Sequence, residues 1–356
     1  MAQVRVAILG QGRSGRDIHG NSLLKMTEKY KIAAAVDENG DRRRRAEREY
    51  GCASYRSHED VFERDDIDLV INALPSHQHV PVSLAFLRRG FHVLCEKPLA
   101  RRASDVDELM EAAEQSGRIL AVYQQSRFSP AFMQLRRVVE AGILGRLVQA
   151  GIAYNGFSRR WDWQTLKAMN GGNLLNTGPH PVDQALQLFG TDGMPGVLCR
   201  MDSANSYGDA EDYVKIILYG EGRPTIDVEI SSCSAYPLFT YHIQGTRGGL
   251  MGNASHLDWR YYLPEESEPH RVTPSPLQQA DGTPAYCREQ LAWREESWDI
   301  DAEQDRDLFH AMAVSYYGML YETLTAGAPL RVTLPEVRQQ VAVMEECFRQ
   351  NERFAL

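Results

Sequence analysis

The chain has 356 residues, of which 43% are hydrophobic and 24% are charged, and its formal net charge is −9. This length corresponds to about two domains of ordinary size, and the composition is that of a globular protein. The acidic excess excludes an overall attraction for nucleic acid or an anionic membrane. No apolar run approaches the roughly 20 residues that cross a bilayer, and the first residues lack the features of a secretion signal, so we expect a cytoplasmic protein.

The cysteines and histidines form no recognisable metal motif. The six cysteines lie far apart and include no Cys-x-x-Cys pair, which predicts reduced thiols rather than a zinc site or a disulfide scaffold. His77 and His79 have no carboxylate at the spacing of a shared ligand set. A Gly-x-Ser-x-Gly motif is absent as well, so we expect neither a metal ion nor a serine nucleophile to carry the chemistry.

The first third of the chain alternates unbroken apolar runs with amphipathic segments. The apolar runs are 4–9, 32–36, 69–73, 91–95 and 119–123, and the helix-like segments between them include 41–50, 80–89 and 105–115. Strands without polar alternation are buried on both faces, which is typical of a parallel sheet covered by helices. The pattern predicts an α/β, doubly wound first domain over residues 1–125.

Beyond residue 125, strand-like runs follow one another with few helices between them. These runs are 147–154, 197–201, 213–219, 225–230, 239–244 and 257–262. They predict a mixed or antiparallel sheet in an α+β second domain over residues 126–356. Residues 252–300 are polar and rich in proline, which predicts a long excursion from the sheet. Two closing helices are expected over 303–325 and 334–351, and they could pack back on the first domain.

A glycine-rich loop follows the first predicted strand directly. Gly10, Gly12 and Gly15 have the G-x-G-x-x-G spacing, which allows a tight turn, close approach of a pyrophosphate and close packing of the following helix. Arg13 and Ser14 would open that helix, whose N-terminus offers unpaired N–H groups to phosphates. The arrangement predicts a dinucleotide site.

The acidic residue expected in such a site is Asp37, which ends the second predicted strand 22 residues after Gly15. A carboxylate there accepts hydrogen bonds from ribose hydroxyls and repels a 2′-phosphate, so it favours NAD over NADP. Arg42 begins a run of four arginines, one of which could reach such a phosphate. Four consecutive side chains of a helix cannot face one point, so most should be solvated, and NAD remains favoured.

A second motif surrounds Lys97, which follows the predicted strand ending at Cys95. The carboxyl ends of parallel strands face the ligand crevice, and a lysine there can stabilise a forming alkoxide. From this motif alone, a surface lysine at a strand end is the simpler interpretation.

A third motif contains His180, near the start of a predicted helix that Thr177 or Gly178 would cap. The positive end of the helix dipole keeps the imidazole neutral and able to accept a proton. Asn176 and Asp183, four residues before and three after, would be within its reach on a helix. Taken alone, such a histidine is more often structural than catalytic.

In their order and separation, these motifs resemble the Gfo/Idh/MocA family of oxidoreductases. The stretches that carry the resemblance are 10–15, 75–79, 90–93, 96–98, 125–130 and 171–183. The resemblance is clear over residues 3–190, weaker to about residue 251, and faint beyond. It implies a Rossmann domain followed by an α+β domain with a large, open, mostly antiparallel sheet.

The resemblance also implies an activity, the reversible NAD(P)-dependent oxidation of a carbinol in a sugar, cyclitol or related compound. Lys97 and His180 match the family's lysine and histidine, and Pro98 its proline, which a cis bond often precedes. The chain has Asn176 where the family commonly has Asp, and an amide cannot offset the charge of an imidazolium. Either Lys97 carries more of the proton chemistry or Asp183 supplies the missing charge. We place His180 first and Lys97 second as the general base.

Other residues near these motifs complete the predicted site. On the cofactor side they are Pro75, His79 and Glu96, with Lys97. On the substrate side they are Arg127, Tyr154, Trp161, Trp163 and Asn176, with Lys97 and His180. The two tryptophans lie just before the histidine segment and could stack on a sugar ring, although aromatic residues more often belong to a core or an interface.

Three functions remain open. The first is an NAD-dependent dehydrogenase acting on a secondary alcohol of a sugar, cyclitol or glycoside. The second, which some family members perform, is glycoside cleavage by transient oxidation and elimination with retained NAD. The third is a non-catalytic nucleotide or sugar sensor, against which the presence of both Lys97 and His180 argues. The resemblance further implies a homodimer or homotetramer formed through the second sheet, with a small molecule as substrate.

Overall fold

The computed structural model describes residues 3–302 and 306–354, and its first half is built on a six-stranded sheet. The strands are Val4–Leu9 (β1), Tyr30–Val36 (β2), Ala53–Tyr55 (β3), Leu69–Asn72 (β4), His92–Cys95 (β5) and Leu120–Val122 (β6). They lie in the order β3-β2-β1-β4-β5-β6, and all neighbours are parallel. The predicted doubly wound sheet is confirmed, with β3 added to the five predicted strands.

Helices connect these strands. The chain leaves β1 through a π-helical segment, Arg13–Gly20, which continues into Asn21–Leu24 (α1). The later connections contain Gly40–Tyr50 (α2), His79–Leu87 (α3) and Ala103–Ser116 (α4). Every side chain from Val6 to Leu9 is fully buried, so both faces of the central strand are covered.

A second sheet of eight strands forms the other half. The strands are Leu147–Asn155 (β7), Gly196–Asp202 (β8), Tyr213–Tyr219 (β9), Thr225–Ser231 (β10), Tyr241–Gly245 (β11), Gly248–Gly252 (β12), His256–Tyr261 (β13) and Arg294–Asp299 (β14). Their order is β14-β13-β12-β11-β7-β10-β9-β8. All neighbours are antiparallel except β7 and β10, so the mostly antiparallel sheet is confirmed as well.

One face of the second sheet is packed and the other is exposed. Along β9, Val214, Ile216 and Leu218 are fully buried, whereas Tyr219 is exposed. The packed face meets side chains from Pro130–Glu140 (α5) and Pro179–Phe189 (α7), between which lies the short helix Asn173–Asn176 (α6). This alternation is that of a sheet with one covered face.

The excursion expected over residues 252–300 is only partly correct. β14 lies within it and pairs with β13, from His256 opposite Asp299 to Tyr261 opposite Arg294. We missed this edge strand because its first residues are polar on both faces. We missed β12 because three of its five residues are glycine, which is rare in strands. Residues 263–293 do remain outside the sheet.

Two long helices, Leu308–Ala326 (α8) and Leu334–Arg349 (α9), follow the second sheet. They agree with the predicted helices 303–325 and 334–351, except that residues 303–305 lie outside the described part of the chain. α9 supplies side chains to the cores of both sheets.

α8 packs against the first sheet, although it lies at the far end of the chain. Its Tyr316 and Tyr317 are fully buried in the first core. The Tyr316 hydroxyl donates a hydrogen bond to the carbonyl oxygen of Val122 at 2.7 Å, and the Tyr30 hydroxyl donates to that of Tyr317 at 2.8 Å. The first core is thus completed by residues that follow the whole second sheet.

Candidate active site

A cleft of about 690 Å³ lies at the carboxyl ends of the first sheet's strands and extends to the start of α7. Most of the predicted site residues line it, namely Gly10, Gly12, Arg13, Ser14, Asp37, Arg42, Pro75, His79, Glu96, Lys97, Trp163, Asn176 and His180. Five others do not, namely Gly15, Arg127, Tyr154, Trp161 and Asp183. The cleft therefore joins the three sequence motifs in one site, in the place where open α/β sheets bind ligands.

The glycine loop closes one end of this cleft. Gly10 has a φ of +85°, and a Cβ atom there would lie 2.6 Å from the carbonyl oxygen of Ala73. A Cβ atom on Gly15 would lie 1.8 Å from the carbonyl oxygen of Gly10, so Gly15 serves close packing behind the cleft. By contrast, a Cβ atom on Gly12 would meet nothing nearer than Arg42 at 4.0 Å. The loop leaves open space for a pyrophosphate where the motif requires it.

Asp37 is held rigidly beside this loop. Its Oδ2 accepts a hydrogen bond from the backbone N–H of Gln11 at 2.8 Å, and its Oδ1 accepts one from that of Asn39 at 2.8 Å. Nη1 of Arg42 lies 3.4 Å from Oδ2. A carboxylate with fixed backbone donors and remaining lone pairs fits the hydroxyls of an adenosine ribose.

One member of the arginine run lies in the cleft, and two others are bound to backbone carbonyl oxygens and are not solvated as predicted. Arg42 lines the cleft, whereas Arg43 binds the carbonyl oxygens of Asp37 and Glu38. Arg44 pairs with Asp41, and Arg45 donates to the carbonyl oxygen of Gln11. The cleft is also lined by Arg56, Ser57 and His58, which the sequence analysis missed because they follow the unpredicted strand β3.

Lys97 is half-buried in the cleft lining, and its Nζ donates a hydrogen bond to the backbone carbonyl oxygen of Asn176 at 2.8 Å. Burial lowers the pKa of Lys97, and the charges of Arg13 and Arg160 lower it further, while Glu96 opposes them. The peptide bond between Lys97 and Pro98 is cis.

Glu96 places a fixed negative charge beside Lys97. Its Oε1 lies 3.1 Å from Nε2 of His19, and its Oε2 accepts from the backbone N–H of Lys97 at 3.1 Å. Burial alone would raise the pKa of Glu96, but the hydrogen bond to His19 and the charge of Lys97 outweigh it and lower the pKa to about 2. The carboxylate is therefore ionised at neutral pH.

His180 lies in the first turn of α7, one residue after Pro179. Its Nδ1 lies 2.9 Å from the hydroxyl oxygen of Ser126, and its Nε2 has no hydrogen-bond partner among the described residues. Burial and the charge of Lys97 lower the pKa of His180 to about 3. These two effects favour the neutral imidazole across the physiological range.

Contrary to the prediction, the side chains of Asn176 and Asp183 bind other partners and not His180. The side-chain oxygen of Asn176 accepts a hydrogen bond from Nε2 of Gln164 at 3.1 Å. Asp183 forms a buried, two-pronged ion pair with Arg127, whose Nη1 also binds Glu336 at 2.8 Å. The Asp183 carboxylate is thus engaged by a guanidinium outside the cleft, and it neither balances His180 nor leaves Arg127 available to a substrate.

Of the aromatic residues predicted to bind the substrate, only one lines the cleft. The Tyr154 hydroxyl donates to the side-chain oxygen of Gln184 at 3.3 Å and lies outside the cleft lining. Trp161 is 80% exposed and does not line the cleft, whereas Trp163 does. Arg160, which was not predicted, lines the cleft and donates to Asp162 at 2.6 Å. It follows no recognisable motif, which is why the sequence did not indicate it.

Glu211 was missed too, and it fixes the start of α6. Its Oε1 accepts from the backbone N–H of Leu174, and its backbone oxygen accepts from that of Asn173, both at 2.9 Å. Gly172 makes room for it, because a Cβ atom there would lie 2.4 Å from each carboxylate oxygen. Its Oε2 has no partner among the described residues, and burial raises the pKa of Glu211 to about 7 against the hydrogen bond from Leu174.

Two family models match most of the chain. Residues 4–124 match the model described as "Oxidoreductase family, NAD-binding Rossmann fold", and residues 132–251 match "GFO/IDH/MocA C-terminal domain". The chain belongs to the Gfo/Idh/MocA family. Its first half is accordingly the NAD-binding Rossmann fold of that family.

Among similar proteins, an uncharacterized oxidoreductase of Schizosaccharomyces pombe is 30% identical over 262 residues, covering 70% of each chain. The scyllo-inositol 2-dehydrogenase (NADP(+)) IolW of Bacillus subtilis is 29% identical over 223 residues, covering 61% of this Gfo/Idh/MocA chain and 60% of IolW. The WlbA dehydrogenase of Bordetella pertussis, solved with NADH and UDP-GlcNAcA, shares the fold, with a TM-score of 0.75 and 19% identity over 98% of this chain and 96% of that one.

Within residues 3–302 and 306–354, no group of three or more His, Cys, Asp or Glu side chains could hold a metal ion. No helix in these ranges is long and apolar enough to cross a membrane. The six cysteines, all within these ranges, form no disulfide.

Proposed function

We propose that the protein is an NAD-dependent oxidoreductase that moves a hydride between the nicotinamide and a secondary carbinol of a sugar, cyclitol or glycoside. The observation that carries the proposal is the convergence of Lys97 and His180 in a cleft that also holds the glycine loop and Asp37. Relatives support the substrate class, since they include scyllo-inositol 2-dehydrogenases of Bacillus subtilis named for NADP(+) and for NAD(+).

The cofactor would lie along the first sheet's half of the cleft. The backbone beside Gly12, with the N–H groups of Arg13 and Ser14, would hold the pyrophosphate, and Asp37 would bind the ribose hydroxyls. NAD supplies the hydride acceptor when bound. Because the Asp37 carboxylate would repel a 2′-phosphate, NAD is preferred to NADP even though Arg42 lies 3.4 Å away.

Lys97 would hold and polarise the substrate hydroxyl. An ammonium group has three N–H donors, and the carbonyl of Asn176 takes one at 2.8 Å, which orients the others. A positive charge in a buried site stabilises a forming alkoxide more strongly than the same charge in water. The ionised Glu96 beside it keeps that charge in place.

His180 would move the carbinol proton. Its Nε2 is without a partner among the described residues, and a neutral imidazole can accept a proton at that atom. The positive charge of Lys97 opposes formation of an imidazolium at His180. Lys97 is therefore the second candidate for the general base, since its lowered pKa makes the neutral amine accessible.

The test is a screen of cyclitols, aldoses and glycosides with NAD and with NADP, followed by absorbance at 340 nm and by aglycone release. Reduction of NAD by a carbinol substrate supports the proposal. Aglycone release without net formation of NADH would instead identify a glycoside-cleaving enzyme that retains NAD. Absence of any turnover while a sugar binds would identify a sensor.

The exposed face of the second sheet would form a homodimer or homotetramer. Leu198 and Tyr219 are exposed apolar side chains on the neighbouring strands β8 and β9, and Met251 is a further one on β12. Light scattering on the purified protein tests this assembly, and charged substitutions at Leu198 and Tyr219 should yield monomers.

A further inference from the structure

The imidazole of His180 has a hydroxyl partner where a carboxylate would be expected. Its Nδ1 lies 2.9 Å from Oγ of Ser126, which is only 5% exposed. The nearby side chains that could have taken this place are engaged elsewhere, because Asn176 binds Gln164 and Asp183 binds Arg127. Ser126 is the one hydrogen-bond partner of the ring within the described residues.

Ser126 is held firmly in position. It lies in the short turn Gln125–Phe128, and its carbonyl oxygen accepts a hydrogen bond from Nε2 of Gln184 at 3.0 Å. The oxygen of the Gln184 amide accepts in turn from the hydroxyls of Tyr241 at 3.0 Å and Tyr154 at 3.3 Å. This network fixes the orientation of the Gln184 amide. Because His180 lies one helical turn before Gln184, the amide also fixes the distance between Ser126 and His180.

The hydrogen bond at one ring nitrogen determines whether the other nitrogen can accept or donate a proton. When Nδ1–H donates to the serine oxygen, Nε2 carries a lone pair and can accept a proton from a carbinol. When the serine O–H donates to Nδ1, Nε2 carries the hydrogen and can donate it to a carbonyl. A carboxylate can only accept, so it would hold the first tautomer and would also stabilise the imidazolium. A hydroxyl serves either tautomer without adding charge.

Building on the proposed function, we propose that Ser126 is a positioning residue that sets the tautomer of His180. In the absence of substrate, Nδ1–H of the imidazole donates to Ser126, and this leaves Nε2 as the proton acceptor for oxidation. In the reverse direction, rotation of the serine hydroxyl supports the Nε2–H form. Ser126 does not line the cleft, so it acts only through the ring.

The test compares Ser126→Ala with Ser126→Thr, which keeps the hydroxyl, and with Ser116→Ala, the same change on α4 and outside the cleft. Full-length protein labelled with ¹⁵N-histidine, with NAD added and no substrate, reports the tautomer through the two ring-nitrogen shifts. His180→Gln identifies the resonances. We expect Ser126→Ala to shift the population to the Nε2–H form, and Ser126→Thr to retain the Nδ1–H form.

Kinetics supply the second readout. We expect Ser126→Ala to lower kcat for carbinol oxidation about tenfold with KM changed less than about twofold, and Ser126→Thr to restore most of it. An unchanged tautomer in Ser126→Ala, or equal impairment of both variants at normal thermal stability, would overturn the inference. If the wild-type protein oxidises no carbinol, the proposed function fails, and the ring-nitrogen shifts alone decide the role of Ser126.

Discussion

Nζ of Lys97 is bound to the backbone of Asn176, 2.8 Å from its carbonyl oxygen, and not to its side chain. The side chain points to Gln164 and lines the cleft. The position of the lysine Nζ therefore depends on the backbone at the end of α6. The side chain of residue 176 does not hold the lysine and is available to bind substrate. We expect Asn176→Ala to raise KM about fivefold, the effect of one lost hydrogen bond of about 1 kcal/mol, with kcat within about threefold. A large fall in kcat at unchanged KM would contradict this.

The second prediction concerns the two candidate catalytic groups. Lys97→Ala and His180→Ala should each lower kcat by at least about a hundredfold, because each removes charge stabilisation or proton transfer from the transition state. NAD should still bind both variants, as measured by calorimetry. Lys31→Ala, an exposed lysine of β2, is the matched control and should keep normal turnover. Near-normal turnover in either cleft variant would remove that residue from the mechanism.

A pH profile separates the two roles. With a pKa of about 3, His180 does not titrate between pH 5 and 9, whereas the pKa of Lys97 is lowered from 10.5 by burial. We expect kcat/KM for oxidation to fall as the pH rises through the pKa of Lys97, at a pH below 10.5, because the neutral amine cannot stabilise the forming alkoxide. The fall should disappear in Lys97→Ala, and a rise over the same range would make Lys97 and not His180 the general base. A break near pH 6.5 that disappears in His180→Ala would show instead that the histidine titrates in its ordinary range.

Cofactor preference depends on the charge of Asp37. Asp37→Asn keeps an acceptor for the N–H of Gln11, which is 2.8 Å away, but removes the charge that repels a 2′-phosphate and opposes Arg42. We expect the ratio of kcat/KM for NADP over NAD to rise at least about tenfold, equivalent to about 1.4 kcal/mol. Asp41→Asn, on the exposed face of α2, should leave the ratio unchanged. An equal loss with both cofactors would mean that Asp37 acts only on the shape of the loop.

Glu211 links the stability of the fold to pH. Its folded-state pKa of about 7 exceeds the ordinary 4.5, so its contribution to stability is complete below pH 4.5 and is lost as the pH rises through 7. Glu211→Gln should remove this pH dependence, which corresponds to about 3 kcal/mol in the free energy of unfolding. Urea denaturation at pH 5 and pH 8.5 measures it, with the exposed Glu221→Gln as control. Parallel pH dependence in wild type and Glu211→Gln would refute the assignment.

The parts of the site that the sequence predicted are those with local patterns. Gly10, Gly12 and Asp37 follow strands whose apolar runs are unambiguous, and Lys97 follows another, so their meeting at one sheet edge is a consequence of topology. His180 could be placed because a helix start has its own signals.

The partners of these residues could not be predicted in the same way. Asp183 binds Arg127, 56 positions away, and nothing local in either residue indicates which charges will meet in a buried pair. Ser126 is an ordinary residue of a turn until the fold brings it to the imidazole. Strand β14 has no apolar period of its own and exists because β13 offers it an edge.

The tyrosines of α8 have a consequence for biosynthesis. The Val122 carbonyl at the end of β6 accepts a side-chain hydrogen bond from Tyr316, 194 residues later in the chain. During synthesis the Rossmann half emerges first, yet its aromatic core is closed only when α8 has left the ribosome. A fragment ending at residue 300 would expose this unfilled core, so the nucleotide-binding half is an unsuitable unit for expression or for transfer into a chimaera.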